Sequence, residues 1–215
     1  MKNKNLRILN YVIAAAVLLI VAFLYPRLPE RIPTNWGFNG ITNYGPRYTI
    51  WLIAGMLPLF AVLLDVTPRI DPRRKNYQKF SGFYDCFCVG LQLFLAIVTG
   101  IILRESFFPG QLHTVKIIFF MLALMFILIG NYLPKVQSNF YMGIKTPWTL
   151  SSDEVWRKTH RLGGRLYAGC GFLILLSALL LPDSVTGVVL FVLVLGSSLI
   201  VTLASWLWWR NLSQE

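Results

Sequence analysis

Long apolar runs alternate along this chain with short polar connectors. Six runs are long enough to cross a bilayer as helices, which takes about 20 residues: 8–25, 48–66, 83–103, 115–133, 166–181 and 185–209. Inside them the only Asp, Glu, Lys or Arg residues are Asp65, Asp85 and Lys116. The pattern predicts an all-α polytopic membrane protein with six transmembrane helices. Residues 1–110 hold three of them and an outer loop at 26–47, and residues 111–215 hold the other three and an inner loop at 134–165. The first run follows Lys2, Lys4 and Arg7, but at 18 residues it exceeds the usual apolar core of a signal peptide. An uncleaved first span is expected.

Composition agrees. Charged residues make up 13%, against about a quarter in soluble domains. The net charge of +11 raises the question of nucleic acid, and placement answers it. If the N-terminus lies inside, the inner segments hold 15 Lys and Arg and the outer segments 5. That bias is the orientation signal of a membrane protein, with both termini cytoplasmic, the lipid bilayer as partner and no direct contact with nucleic acid. Trp206, Trp208 and Trp209 read as an interfacial belt at the end of the last span.

Two connectors are longer than their spans require. The outer one carries Pro26, Pro29, Pro33 and Pro46 with Gly37, Gly40 and Gly45, which predicts ordered turns. Asn39-Gly40, between Trp36 and Tyr44, is the dipeptide that closes a small hairpin. In the inner one, Ser151 followed by Glu154 reads as a capping box, with Leu150 and Val155 as a hydrophobic staple. Asp153 and Glu154 precede Arg157, Lys158 and Arg161, the charge order that suits a helix dipole. A short amphipathic cytoplasmic helix is expected at 152–162, ended by Gly163-Gly164 and lying on the membrane surface.

Chemistry is sparse. His160 has no nucleophile or metal partner at useful spacing, so no catalysis, cofactor or metal is expected. Cys86, Cys88 and Cys170 read as buried free thiols. Asp65 and Asp85 are expected to pair with Arg69, Arg73, Lys79 or Arg165 near the cytoplasmic helix ends. Gln92 is expected to bond a neighbouring helix.

Residue order adds what pattern cannot. Gly130, Asn131, Leu133, Pro134 and Lys135 are followed by Asn139, Phe140, Gly143, Ile144, Lys145, Thr146, Pro147, Trp148, Thr149 and Leu150, then Val155, Trp156, Thr159 and His160. This run closely resembles the signature of the SdpI family of bacterial immunity proteins. Leu28, Pro29, Ile32, Pro33, Trp36, Gly40, Tyr44 and Gly45 resemble a small domain of unknown function that often precedes it. Asn35 stands where that pattern usually has His. The resemblance implies a membrane protein that protects a cell against a membrane-active toxic peptide. In one branch of the family such a protein also holds a cytoplasmic repressor at the membrane. Pro29, Pro33, Asn35, Trp36, Gly40 and Tyr44 are then candidates for sensing the peptide. Gly143, Lys145, Thr146, Pro147, Trp148, Trp156 and His160 are candidates for docking the partner. The competing reading is a small transporter or channel, for which the spans offer few polar residues beyond Gln92.

Overall fold

The computed structural model describes residues 3–37 and 42–212. Helix α1 (Lys4–Leu24) leads into strands β1 (Arg31–Trp36) and β2 (Thr42–Pro46). Helices α2 (Ile50–Ile70), α3 (Arg74–Tyr77), α4 (Ser81–Phe107), α5 (Thr114–Tyr132), α6 (Pro147–Ser151), α7 (Asp153–Leu180) and α8 (Asp183–Leu212) follow. Six of them, α1, α2, α4, α5, α7 and α8, are long and apolar enough to cross a membrane. Leu19, Leu52, Leu180 and Phe191 stand more than half exposed, which suits a lipid solvent. Helices are the element that such a solvent allows, because they bond their own backbone.

The chain divides into two compact units, one of Met1–Arg69 with Ser81–Ile118, the other of Ile70–Phe80 with Phe119–Glu215. In the first, α1 buries Asn10, Ala14 and Val21, and α2 buries Ile50, Ala54, Leu57, Ala61 and Asp65. That spacing is one helix face, and its alanines let backbones approach. The Gln92 amide nitrogen on α4 donates to the Leu57 carbonyl of α2 at 2.8 Å, the interhelical bond expected of it. Pro68 has no N–H, so the Leu64 carbonyl lacks its helical donor. The Tyr84 hydroxyl donates to it instead, at 2.6 Å.

The outer connector forms the expected hairpin strands, with Arg31 opposite Pro46 and Trp36 opposite Thr42. Thr34 is the extra residue of a bulge between Pro33 and Asn35. Asn39 and Gly40 lie outside the described residues. Leu28 and Ile32 are buried among Val21, Ile50, Ala54, Ile102 and Leu103, so the hairpin is fastened to the ends of α1, α2 and α4. A Cβ at Gly45 would stand 2.8 Å from the Thr34 methyl, which explains the glycine across from the bulge.

In the second unit, α5 and α7 meet backbone to backbone. A Cβ at Gly130 would collide with the Ala168 amide, and one at Gly171 would lie 2.7 Å from the Ala123 carbonyl oxygen. One expectation is corrected here. The helix does not stop at Gly163-Gly164, because α7 runs unbroken from Asp153 to Leu180. These glycines make room for the preceding loop: a Cβ at Gly163 would be 2.5 Å from the Ile144 methyl, and one at Gly164 2.7 Å from the Pro134 ring. Cys88 and Cys170 are buried as expected, whereas Cys86 on α4 is exposed.

The two kinds of helical glycine separate experimentally. Gly171→Leu should lower the stability of the purified protein in detergent by about 3 kcal/mol, through overpacking at a backbone contact. Gly169 has nothing within 4 Å, so Gly169→Leu should leave the thermal midpoint within a degree or two. Equal midpoints for the two variants would contradict the glycine-mediated packing of α5 on α7.

Candidate functional site

The inner connector leaves α5 at Tyr132 and reaches α7 at Asp153 with little regular structure between. Its buried peptide groups therefore need side-chain partners, and side chains of the loop and of its neighbours supply them. Asn139 is wholly buried. Its Oδ1 accepts from the Tyr141 and Met142 amides at 3.0 and 2.6 Å, and its Nδ2 donates to the Gln137 and Met142 carbonyls at 2.8 and 2.9 Å. Asp71, 2% exposed, accepts from the Phe140 amide at 2.9 Å and the Tyr77 hydroxyl at 3.1 Å. The same hydroxyl lies 3.2 Å from Asn139 Oδ1.

Gly143 then turns the chain at φ +113°, a region that side chains rarely adopt. A Cβ there would collide with His160 Nε2. The turn aims the Ile144 amide at that nitrogen, 3.1 Å away. Nε2 accepts, so the ring proton is on Nδ1, which donates to the Trp156 carbonyl at 2.8 Å. Trp156 stacks on the same ring with centroids 4.0 Å apart, and its indole N–H donates to the Val136 carbonyl at 2.9 Å. Both side chains are at most 1% exposed. They are the core over which the loop folds.

Thr146 begins α6, with Pro147 in the first turn. It accepts from the Thr149 amide at 3.2 Å, and Thr149 accepts in return from the Thr146 amide at 2.9 Å. The Thr146 hydroxyl also meets that of Ser205 on α8 at 3.1 Å. The reciprocal cap thus sits at Thr146 and not at Ser151, which corrects the expected box. Ser151 donates to the Trp148 carbonyl at 3.0 Å, and Ser152 caps α7 by accepting from the Val155 amide at 3.4 Å. Glu154 pairs with Lys158 one turn on, at 2.7 Å. A threonine directly before a proline at the first helical position was the signal for the earlier start.

The linker Ile70–Phe80 closes the site. Arg73 donates to the Leu150 carbonyl at 3.1 Å and to the Ser138 hydroxyl, lies 3.7 Å from Asp153, and covers the Phe140 ring at 5.2 Å. Asn76 donates to the Ser138 carbonyl at 2.7 Å. The sequence signal for this role is Asp71, an acid among the four cations Arg73, Arg74, Lys75 and Lys79.

The docking candidates therefore fall into two sets. Gly143, Thr146, Trp156 and His160 shape the loop from within, while Lys145 and Pro147 are exposed and Trp148 is half-buried. The apolar stripe of the amphipathic segment, Val155 and Thr159 included, is buried against this loop and not laid on the membrane surface. On the hairpin, Pro29, Asn35 and Tyr44 are exposed, Trp36 is half-buried, Pro33 is buried, and Gly40 lies outside the described residues.

In the first unit Asp65, 4% exposed, holds Arg69 at 3.0 Å as anticipated. It also holds Arg7 at 2.9 Å and accepts from the Tyr11 hydroxyl at 3.3 Å, partners not foreseen. Arg73, an expected partner, is engaged in the second unit instead. Asp85 accepts the Asn3 amide at 2.8 Å, and Asn3 caps α1. Glu105, missed in the sequence, accepts from the Gly110 and Leu112 amides at 2.8 and 3.1 Å and closes the turn after α4.

A six-span helical membrane protein with a strand hairpin on one unit and a cross-bonded polar loop on the other is the class defined so far. Residues 135–205 match the model of the SdpI/YfhL protein family, and residues 12–57 that of a domain of unknown function, DUF1648. The chain is 24% identical over 206 residues to Immunity protein SdpI of Bacillus subtilis (strain 168), covering 96% of this chain and 97% of that protein. No solved structure matches. The second unit thus carries a segment, residues 135–205, that matches the SdpI/YfhL family.

Gly143→Ala should expel His160 from the Ile144 amide. Hydrogen exchange at Met142 and Ile144 should rise at least tenfold, while exchange in the middle of α7 stays unchanged. Arg73→Gln should speed limited proteolysis between residues 136 and 146 without changing the helix content seen by circular dichroism. Wild-type exchange in the first variant, or wild-type cleavage in the second, would contradict the bonding described.

Proposed function

We propose that this is an immunity protein that protects a bacterial cell against a membrane-active toxic peptide. The observation that carries the reading is the likeness to Immunity protein SdpI along nearly the whole of both chains. Its place is the cell membrane, with both termini inside, as the excess of Lys and Arg in one set of connectors implies.

On that orientation the hairpin faces outward and offers Pro29, Asn35 and Tyr44 to a peptide. The loop before α7 faces the cytoplasm and offers Lys145, Pro147 and Trp148 to a repressor protein. The geometry supports a docking role in one respect: the loop is braced from within and from the linker. A braced surface loses little conformational entropy on binding, which favours affinity. Gly143, Thr146, Trp156 and His160 serve that role as positioning residues.

The immunity half is tested by expressing the protein in a strain sensitive to the toxic peptide produced by its own host. Survival should rise with expression, and unchanged killing at confirmed expression would refute it. The docking half is read separately, from membrane recruitment of the co-expressed repressor. Trp148→Ala should abolish recruitment at normal protein level, whereas Trp156→Ala should first lower the amount of folded protein. Full recruitment by Trp148→Ala would rule out docking at that edge.

A further inference from the structure

At 100° per residue, Arg157, Arg161, Arg165, Gly169, Phe172, Leu176 and Leu179 fall within about 120° of arc on α7. All are exposed. The upper part of this face is cationic and the lower part apolar, with Phe172, Leu176 and Leu179 each more than half exposed. Charge on the neighbouring turns is mostly neutralised: Lys158 pairs with Glu154 at 2.7 Å, and Arg73 lies 3.7 Å from Asp153. Arg161 and Arg165 have no ion pair or hydrogen bond among the described residues. Two guanidinium groups one turn apart, about 6 Å along the axis, thus stand free at the head of a lipid-facing stripe.

Gly169 sits where the two parts meet. Nothing lies within 4 Å of where its Cβ would be, so no packing of this chain explains the missing side chain. It leaves a notch one helical turn below the arginine pair. From Arg165 to Leu179 the helix rises about 21 Å, enough for one leaflet of a hydrocarbon core of about 30 Å.

We propose that this face binds one anionic phospholipid. Its phosphodiester is held between Arg161 and Arg165, by the planar donors that suit phosphate oxygens. Its first acyl carbons enter the notch at Gly169, and the chain runs along Phe172, Leu176 and Leu179. A general basic belt would spread charge around the helix and would gain nothing from an empty glycine. The alignment of charge, notch and apolar stripe on one arc singles out an amphiphile with an anionic head.

The test is native mass spectrometry of the purified full-length protein with phosphatidylglycerol, phosphatidylcholine of the same acyl chains, and inorganic phosphate. The wild type should retain one phosphatidylglycerol in preference to phosphatidylcholine, and inorganic phosphate should not displace it. The Arg161→Gln, Arg165→Gln double variant should bind phosphatidylglycerol at least tenfold more weakly. Gly169→Leu, which keeps the charge and should fold normally, should weaken it severalfold. Arg31→Gln and Lys116→Gln, cations of the other unit, should leave retention unchanged. Equal retention by the double variant, equal loss from the control pair, or displacement by free phosphate would each overturn the proposal. So would retention of both lipids alike.

Discussion

A buried peptide group must be bonded wherever the chain is irregular. The stretch between Tyr132 and Asp153 is the longest irregular one in the second unit, and its shape follows from that demand. Asn139 bonds the turn on both sides, Asp71 takes the Phe140 amide, His160 takes the Ile144 amide, and Thr149 takes that of Thr146. Each side chain stands in for a missing backbone partner. Losing one leaves a desolvated donor or acceptor behind, which costs more than the bond itself contributes in net terms.

The helices carry the other half of the same demand. They satisfy their own backbones and leave side chains free to choose between lipid and neighbour. Where a helix fails locally, as at Pro68, a tyrosine hydroxyl from the next helix repairs it. Where two helices come too close for side chains, as α5 and α7 do, glycine is present at Gly130, Gly164 and Gly171. Ionisable groups follow suit: Asp65 is buried only in the company of Arg7, Arg69 and Tyr11, consistent with the cost of an unpaired charge.

The six spans were legible because a run of about 20 apolar residues has few other uses. The hairpin strands were legible from Trp36, Tyr44 and the turn residues between them. The start of α7 was misread by one residue, since Ser151 and Ser152 are equally good caps and only the end of α6 decides between them. Gly163-Gly164 looked like a helix stop because a glycine pair carries the same local signal when it makes room for a distant neighbour, here Ile144 and Pro134. The role of Asp71 and Arg73 was hidden for a related reason. Their partners, Phe140, Ser138, Leu150 and Asp153, lie more than 60 residues away, and no periodicity in a single sequence reports such pairs.

The unbroken course of α7 has a mechanical side. Its 28 residues make a rod of about 42 Å, some 12 Å more than a hydrocarbon core of about 30 Å. The first turns, which carry Trp156 and His160, precede the apolar run that begins at Leu166 and so lie outside the hydrocarbon core, on the same rigid shaft that crosses it. The polar loop is bolted to that shaft. Its height above the hydrocarbon core is then set by a helix and not by a tether, so whatever approaches it meets a surface at a fixed stand-off.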